Sequence, residues 1–506
     1  MSEVGFNDDF LEKELFGGDD DDDDGMDVDD MMNAEGRAAG EATAAESTAG
    51  ANEDNKDGDG GARVERPRGL HAAKLDIDMD DPPGELTVMH YAPRTRIEAI
   101  ASAQTCATFE VTPTIALVNS WQIHAVAATP NMRWVFTGGE DGYVKKWDFN
   151  ATVNGKQLLT LGQRHSLVDS ICKAGVVASY WDHSDVVEGG VEMLSPVYSL
   201  AVHSEAMWLV SGMKSGHIGL WSVRHDEGRR IALLSKHKKP VSVLRITPDE
   251  YGLVSGSWDR AVLYWDLNTG RLTRSFAGHT SQISSIEFQP TWTAEQFSKS
   301  RQQQPQSPTL ATTNGDGGGV DGDPQSKAFD GQSTSGPVLL TTSIDGQCLL
   351  WDVRAPKTLL PCPLYTPKKT PPWAASACWS RDGKRIFVGR RNNSVDEYEL
   401  GAGPLPVRTL RLPMNSGPVN AIAAMANGRH LVCASADNLR VWDLDHPTTE
   451  RRSTVPFQVI PGHHGGTISS VFIDESSRYM ITSSGNRGWD GTSNNTTLGY
   501  ELTALS

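Results

Sequence analysis

The sequence predicts an all-β protein in which seven four-stranded blades form a ring, that is, a seven-bladed β-propeller preceded by a disordered acidic tail. Three observations lead to this prediction. A β-hairpin pattern ending in Trp-Asp or a variant of it occurs seven times, and three of the spacings between successive copies are 44, 47 and 44 residues. A period of about 40–45 residues with this ending is typical of a propeller blade. The net charge of −18 comes entirely from the first 61 residues.

The clearest copy of the hairpin spans Leu253–Leu267. An apolar run is followed by a polar turn at Asp259 and by a second strand pattern that ends at Trp265-Asp266. The other copies end at Trp147, Trp221, Trp351, Tyr398, Trp442 and Tyr500. Four copies keep the Trp-Asp pair, and residues 105–506 therefore resemble the WD-repeat family. The resemblance implies that an N-terminal strand, here near Thr108–Val111, completes the last blade and removes its open sheet edge.

The WD-repeat resemblance also implies hydrogen-bonded tetrads that hold the blades. In each tetrad an indole donates to a hydroxyl, the hydroxyl to an imidazole, and the imidazole to a carboxylate. A Ser, a His and an Asp could also form a hydrolase triad, but their recurrence with a Trp favours a structural role, so we expect no catalytic site. The other blades lack complete sets, since Cys433 replaces the Ser in one of them. The two complete tetrads are His237, Ser255, Asp259 and Trp265, and His279, Thr341, Asp345 and Trp351.

The charge of the chain is concentrated in residues 1–61, which hold 21 Asp and Glu against 3 Lys and Arg. Such a composition cannot bury a core, so we expect a disordered tail. Its beginning mixes apolar and acidic side chains that could form a short amphipathic helix on a partner: Phe6, Asp8, Asp9, Phe10, Leu11, Leu15 and Phe16. A solvating tail with incidental apolar residues is the alternative. Residues 62–104 are expected to be a linker with a short helix at Thr95–Ala103.

Three insertions interrupt the blades. Residues 162–195 would follow an outer strand near Gln157–Leu161 and lie on the top face, which carries the connections between successive blades. Ser166 could cap a helix there. Residues 291–336, rich in Gln, Ser, Gly and Asp, predict a flexible loop on the bottom face, and residues 485–493 a second top-face loop. We expect the two top-face insertions to supply an apolar partner-binding site made of Leu167, Ile171, Trp181 and Trp489. The alternative for residues 162–195 is a helix packed on its own blade.

Several classes of function leave no signal. The six cysteines are scattered without a CxxC motif, which suits a reducing compartment. We find no secretory leader, membrane-length apolar run, phosphate-binding loop or metal-ligand spacing, and expect no cofactor, metal or membrane partner. Basic residues of predicted top-face turns could bind acidic peptides or nucleic acid, or could simply be solvated: Lys214, Lys236, Lys238, Lys239, Arg260, Lys368, Lys369, Arg390, Arg391 and Arg487. No aromatic stacking platform accompanies them, and no sequence-specific nucleic-acid binding is expected.

The most specific segments are His165–Asp182, Ser195–Leu200 and the terminal G-N-R-G-W-D-G-T-S at 485–493. Together with the acidic N-terminus they resemble the WD-repeat subunits of the fungal SAGA transcriptional coactivator, which contact TATA-binding protein. The resemblance implies a nuclear, non-catalytic scaffold, monomeric within a large complex, that binds other coactivator subunits and regulates the delivery of TATA-binding protein to promoters. The alternative is a substrate receptor of a ubiquitin ligase. Such a receptor would need a box or linker-binding motif outside the ring, and none is present.

Overall fold

The computed structural model describes residues 95–505 except 187–189, 292, 294–295, 297–336, 354–361, 367–372, 437, 447–454, 488 and 490–491. Within this part of the chain, seven sheets follow one another around a ring, and their strands are antiparallel except for one short parallel pair at the outer edge of the last sheet. The predicted all-β, seven-bladed propeller is therefore confirmed. The acidic tail and most of the 291–336 segment lie outside the described residues.

Each blade runs from an inner strand, through two middle strands, to an outer strand. Helix α1 (Arg96–Thr105) and strand β1 (Thr108–Ala116) precede blade one. Blade one contains β2 (Ile123–Ala128), β3 (Trp134–Gly139), β4 (Tyr143–Asp148) and the outer strand β6 (Val177–Asp182). The connection between β4 and β6 contains α2 (Phe149–Val153), α3 (Leu161–Arg164) and β5 (Lys173–Ala174), and β5 pairs in parallel with β1 at the edge of the blade-seven sheet. A small hairpin follows, made of β7 (Ser184–Val186) and β8 (Glu192–Leu194). Blade two contains β9 (Ser199–Val202), β10 (Trp208–Gly212), β11 (His217–Ser222) and β12 (Arg230–Ser235). Blade three contains β13 (Val241–Ile246), β14 (Gly252–Ser257), β15 (Val262–Asp266) and β16 (Arg271–Phe276).

The remaining blades repeat this order. Blade four contains β17 (Ile283–Phe288), β18 (Val338–Ser343), β19 (Cys348–Asp352) and β20 (Cys362–Leu364). Blade five contains β21 (Ala374–Trp379), β22 (Arg385–Arg390), β23 (Ser394–Glu399) and β24 (Arg408–Arg411), and a 3-10 turn (Met414–Ser416) follows it. Blade six contains β25 (Ala421–Ala424), β26 (His430–Ala434), β27 (Leu439–Asp443) and β28 (Phe457–Ile460). Blade seven contains β29 (Ile468–Ile473), β30 (Tyr479–Ser484) and β31 (Thr497–Leu505), completed by β1.

The two ends of the described chain close the ring together. Strand β1 pairs antiparallel with β31, from Thr108 opposite Leu505 to Ala116 opposite Leu498. The outer strand of blade seven thus comes from the N-terminal side of the ring, as the sequence predicts. Closure from both ends leaves no open seam between the first and last blades.

The middle strands are buried on both sides, which explains their small and apolar composition. All six residues of β14 and of β18 are buried. A Cβ at Gly256 would lie 2.6 Å from Ile283 Cγ2 of the next blade, and one at Gly138 would lie 2.4 Å from Val197 Cγ1. Glycine at these positions therefore allows neighbouring blades to pack closely.

Buried serines join successive blades near the top of the channel. In five of the seven seams a serine Oγ donates to a backbone carbonyl of the next blade at 2.5–3.0 Å. The pairs are Ser199 with Val241, Ser242 with Ile283, Ser284 with Ala374, Ser376 with Val419, and Ser469 with Ile123. Each bond satisfies a hydroxyl that would be costly to bury alone and fixes one blade against the next.

The insertion in blade one differs from its prediction. The outer strand is β6, which pairs with β4 from Tyr143 opposite Asp182 to Trp147 opposite Val177. The long connection is therefore residues 149–176, between the third and outer strands. Such a connection lies on the bottom face, so the predicted top-face placement of Leu167 and Ile171 is wrong.

Local capping explains this difference. The Thr160 side chain accepts from the Gln163 backbone and the Gln163 side chain accepts from the Thr160 backbone, so Thr160 begins helix α3 and ends the extended run before it. Ser166 does not cap a helix; the helix is already over at Arg164. Ile171 is buried in the cluster that contains Tyr500 and Leu502 of blade seven. This segment therefore packs on the ring, but against blade seven and not on its own blade, so neither of the two predicted arrangements is observed.

Residues 291–336 stand in the sequence between β17 and β18, the inner strand of blade four and its neighbour, which are joined at their bottom-face ends. We predict that replacing Glu295–Ser335 by a short Gly-Ser linker leaves the melting temperature unchanged, because lengthening a loop costs little entropy. Differential scanning calorimetry of the two proteins tests this. A loss of soluble protein would show that the segment contributes a strand to the ring.

Candidate interaction surfaces

The tetrad of blade three is complete. His237 Nε2 lies 2.8 Å from Ser255 Oγ, and the Trp265 indole donates to the same oxygen at 2.8 Å. The Asp259 carboxylate lies 3.0 Å from His237 Nδ1 and accepts from the backbone of Lys238 and Ala261. Burial opposes the ionisation of Asp259, but the bonds from His237 and from the two backbone N–H groups lower its pKa to about 2. The tetrad connects the segment before the inner strand, at His237, to the turn between the two middle strands, at Asp259.

Blade four uses the same residues with one difference. His279 Nε2 lies 2.7 Å from Thr341 Oγ1, which also accepts from the Trp351 indole at 2.7 Å. The carboxylate of Asp345 does not contact the imidazole directly. Ser343 lies between them and donates to Asp345 at 2.5 Å, while His279 Nδ1 lies 2.8 Å from its Oγ. The predicted direct His–Asp bond is therefore wrong in this blade, because a serine supplies an intermediate acceptor.

A further histidine that the sequence analysis missed serves blade two. His183 Nε2 lies 2.8 Å from Ser211 Oγ, and the Trp221 indole donates to Ser211 at 2.7 Å. This histidine follows Asp182, whereas His279 and His463 each follow a glycine, so no Gly-His pair marks it in the sequence. The intervening hairpin also separates it from its blade.

Blade five replaces the tetrad with a buried ion pair. Arg390 Nε donates to Asp396 at 2.9 Å, and a second guanidinium nitrogen of Arg390 donates to the Tyr398 hydroxyl at 2.9 Å. The side chains of Arg390 and Asp396 are both fully buried. Arg390 is thus not a top-face cation, contrary to its prediction. Thr409 satisfies the second carboxylate oxygen of Asp396.

Three buried imidazoles give the ring a dependence on pH. Burial lowers the pKa of His183, His279 and His463 to about 4. The ordinary pKa of an imidazole is about 6.5. As the pH falls from about 6.5 to 4, these imidazoles therefore bind protons in the unfolded chain but not in the folded chain. We predict that the free energy of unfolding falls across this window, by about 3 kcal/mol for each imidazole.

Urea unfolding at several pH values between 7 and 4 measures this loss. His279→Gln keeps an amide beside Thr341 but removes one titrating group, and it should flatten the dependence while the contributions of His183 and His463 remain. A dependence as steep as that of the parent protein would contradict the assignment of His279.

The central channel is lined by the inner strands and has a volume of about 500 Å³. Arg487, from the terminal loop, closes part of its top end, donating to the carbonyl of Ser469 at 2.5 Å and to that of His124 at 3.3 Å. Burial and the nearby charge of Arg245 lower the pKa of Arg487 to about 10. Arg487 therefore bridges blade seven to blade one.

The predicted apolar partner site does not form. Ile171 and Trp181 are buried, and the Trp181 ring packs 6.4 Å from Phe136 inside blade one. Leu167 is half-buried on the bottom face against the blade-seven cluster. Trp489 is half-buried in a top-face loop, so the structure does not bring it together with Leu167. The tail residues, from Phe6 to Phe16, lie outside the described part of the chain.

The top face carries a different apolar element, which we call the apolar hairpin and define as β7, β8 and Val191, the residue before β8. Its exposed side chains are Val191, Met193 and Leu194. The sequence contains a signal for it, because Gly189-Gly190 lies between two short β-type runs. The stretch lies inside the 162–195 insertion, for which the sequence predicts a helix after Ser166 but no strand.

Beside the apolar hairpin lies a group of exposed cations that we call the basic ridge. It occupies the top turns of blades two and three and consists of Lys214, Lys236, Lys238, Lys239 and Arg260. Among the other predicted top-face cations Arg391 is exposed, with its guanidinium 4.2 Å from the Trp373 ring centroid. Lys368 and Lys369 lie outside the described residues.

Other chemistry finds no site in the part of the chain that the structure describes. No described group of three or more His, Cys, Asp or Glu side chains could hold a metal ion. Among the same residues, no helix is long and apolar enough to cross a membrane. All six cysteines are free thiols.

Comparison with known proteins identifies the family. Residues 109–336 and 325–503 match the family described as the SPT8 β-propeller. This chain belongs to that family. The SAGA complex subunit Spt8 of Schizosaccharomyces pombe is 39% identical over 442 residues, which covers 79% of this chain and 80% of that protein. SAGA complex subunit SPT8 of Saccharomyces cerevisiae is 34% identical over 446 residues, covering 79% of this chain and 74% of that protein. The WD-repeat resemblance found in the sequence is thus confirmed.

Proposed function

We propose that this chain is a non-catalytic adaptor subunit of a SAGA transcriptional coactivator and acts in the nucleus. The observation that carries the proposal is the family match across the whole ring, together with two relatives that are both named SAGA complex subunits. The geometry of the tetrads supports a non-catalytic role. Ser255, which could be mistaken for a nucleophile, is fully buried, and its hydroxyl already contacts His237 and Trp265.

The proposed client is TATA-binding protein, and the proposed contact is the acidic segment of residues 1–30. TATA-binding protein presents to the minor groove a surface that combines cations with apolar wedges. Residues 1–30 combine carboxylates with Phe6, Phe10 and Phe16, so they offer both the charge and the apolar groups that such a surface accepts. The block Asp19–Asp24 would attract the client over the screening distance of about 8 Å at physiological salt.

We predict that a peptide of residues 1–30 binds TATA-binding protein in competition with promoter DNA. Changing Phe6, Phe10 and Phe16 to Ala should weaken binding while keeping most of its salt dependence, because the apolar contacts are lost and the charges remain. Changing Asp19–Asp24 to Asn should instead flatten the salt dependence. Fluorescence anisotropy of the labelled peptide, titrated at several salt concentrations, separates the two effects.

A peptide with the same composition in scrambled order serves as the control for charge alone. Equal binding of the scrambled peptide would show that the positions of the three Phe are irrelevant. Simultaneous binding of peptide and DNA, without loss of either, would show that the tail does not occupy the DNA-binding surface.

A further inference from the structure

We propose that the apolar hairpin and the basic ridge form one docking surface for an acidic, apolar peptide segment of a partner protein. The surface lies at the side of the top face, over blades one to three, and away from the central channel. The partner segment would carry Asp and Glu side chains interspersed with Leu or Phe.

The apolar hairpin is held firmly on the ring by its polar groups. Asp185 lies 2.8 Å from His217 Nδ1 of blade two. Arg230, on the outer strand of that blade, donates to the Ser184 carbonyl at 3.1 Å and to Glu192 at 2.7 Å. These contacts leave the apolar side chains outside, where Val191, Met193 and Leu194 are 60%, 58% and 49% exposed. A surface fixed in this way loses little conformational entropy when a partner binds.

The basic ridge is continuous with the apolar hairpin. The backbone N–H of Lys214 donates to the Ser195 hydroxyl, just after β8, at 3.1 Å. The turn that contains Lys214 also abuts the loop of the other lysines, since a Cβ at Gly216 would lie 2.5 Å from the His237 carbonyl oxygen and 3.0 Å from that of Lys239. The two elements therefore touch through one turn.

The charges of the basic ridge are available to a partner. Within the described residues, none of the five cations of the basic ridge takes part in an ion pair. Of the nearby acidic side chains, Glu192 pairs with Arg230, while Asp185, Asp259 and Glu140 are bonded to His217, His237 and His124, which carry a charge only when protonated. The five cations and Arg230 outnumber these four carboxylates, and the excess of positive charge complements an acidic partner and accelerates its association.

The apolar side chains favour a peptide over a nucleic acid. Binding of a single strand would need exposed aromatic rings on which bases could stack. The aromatic residues nearest the ridge pack on one another instead: the Tyr198 ring lies 5.4 Å from Trp258 and 5.6 Å from His124, and Tyr198 is buried. Exposed aliphatic groups beside lysines match a segment in which aliphatic or aromatic groups stand beside carboxylates.

The test uses the full chain and a fluorescent synthetic peptide in which Asp and Glu alternate with Phe and Leu. Two comparison peptides replace either the apolar residues by Ser or the acidic residues by Lys. The protein variants are Met193→Ser with Leu194→Ser, and Lys236→Gln with Lys238→Gln and Lys239→Gln. A control, Leu158→Ser with Leu161→Ser, removes two apolar residues from the bottom face that are 64% and 86% exposed. All altered side chains are exposed, so near-parental melting temperatures establish that each variant is folded.

The proposal predicts that each top-face variant weakens binding of the probe by about tenfold or more and that the bottom-face control binds as the parent does. The peptide without apolar residues should bind more weakly than the probe, and its remaining affinity should disappear as the salt concentration rises. Parental affinity in both top-face variants would overturn the proposal. A second outcome would also overturn it: a single-stranded oligonucleotide displaces the probe, and its binding is weakened by the lysine changes but not by the Met193 and Leu194 changes. The basic ridge would then be a nucleic-acid surface.

Discussion

Replacing Trp265 by Ala is expected to lower the free energy of unfolding by about 3–5 kcal/mol, the range for removing a large aromatic side chain from a core. Trp265 is 2% exposed and belongs to a cluster that includes Val210 and Leu234 of blade two. Its loss opens a cavity at the seam between two blades. It also deprives Ser255, itself fully buried, of the indole N–H that now donates to it.

Urea unfolding monitored by circular dichroism measures the effect of Trp265→Ala. Trp121→Ala is the matched control, because Trp121 is 58% exposed and its removal should change the free energy of unfolding by no more than about 0.5 kcal/mol. An unfolding midpoint for Trp265→Ala within error of the parent would contradict the role assigned to the blade-three tetrad.

Replacing Asp396 by Ala in blade five should be as damaging, at about 3–5 kcal/mol, because it leaves the buried guanidinium of Arg390 without its carboxylate. Both side chains of this pair are fully buried, and Asp396 also accepts from Thr409. The pair replaces the tetrad in blade five, where Tyr398 occupies the Trp position. Its expected contribution is therefore to hold the blade in register.

Two further variants isolate the effect of the buried charge. Arg390→Met combined with Asp396→Leu removes both charges and should be less damaging than Asp396→Ala alone, since no unpaired ion remains. Arg229→Ala, which breaks an exposed pair with Asp226, should cost less than about 1 kcal/mol. A double variant less stable than Asp396→Ala would show that the hydrogen bonds of Arg390 matter more than charge balance.

The sequence predicted the ring because the Trp positions report the repeat directly. Trp265 and Trp351 are fixed at one depth in each blade by their bonds to Ser255 and Thr341, so their spacing reveals the length of the blade. The closing strand followed from the same logic, since a ring needs a partner for its last edge. These features depend on local patterns that recur.

Features that depend on contacts between distant segments were not predictable in the same way. The stretch before Thr160 has the composition of a strand, but the capping box of Thr160 and Gln163 starts a helix at Leu161 and ends the extended run there. Ile171 then packs against blade seven, far away in the sequence. In blade four, Ser343 lies between His279 and Asp345, which no spacing rule indicates.

The candidate interaction surface was missed for a related reason. Trp181 and Ile171 looked like anchors because they are large and apolar in a long insertion, yet the ring buries both. The residues that do remain exposed, Met193 and Leu194, belong to a short hairpin. The contacts of Asp185 and Arg230 determine which side of this hairpin faces the solvent. Exposure is thus decided by tertiary packing and not by composition.

The measurement that tests the central claim most directly is mass spectrometry of the full-length chain, tagged and affinity-purified from nuclear extract of its own cells. The account predicts that the subunits of a SAGA coactivator co-purify in constant proportion with this chain, and that they stay bound to a chain lacking residues 1–30, whereas TATA-binding protein is lost with those residues. Co-purification of the subunits of a ubiquitin ligase, without those of the coactivator, would contradict it.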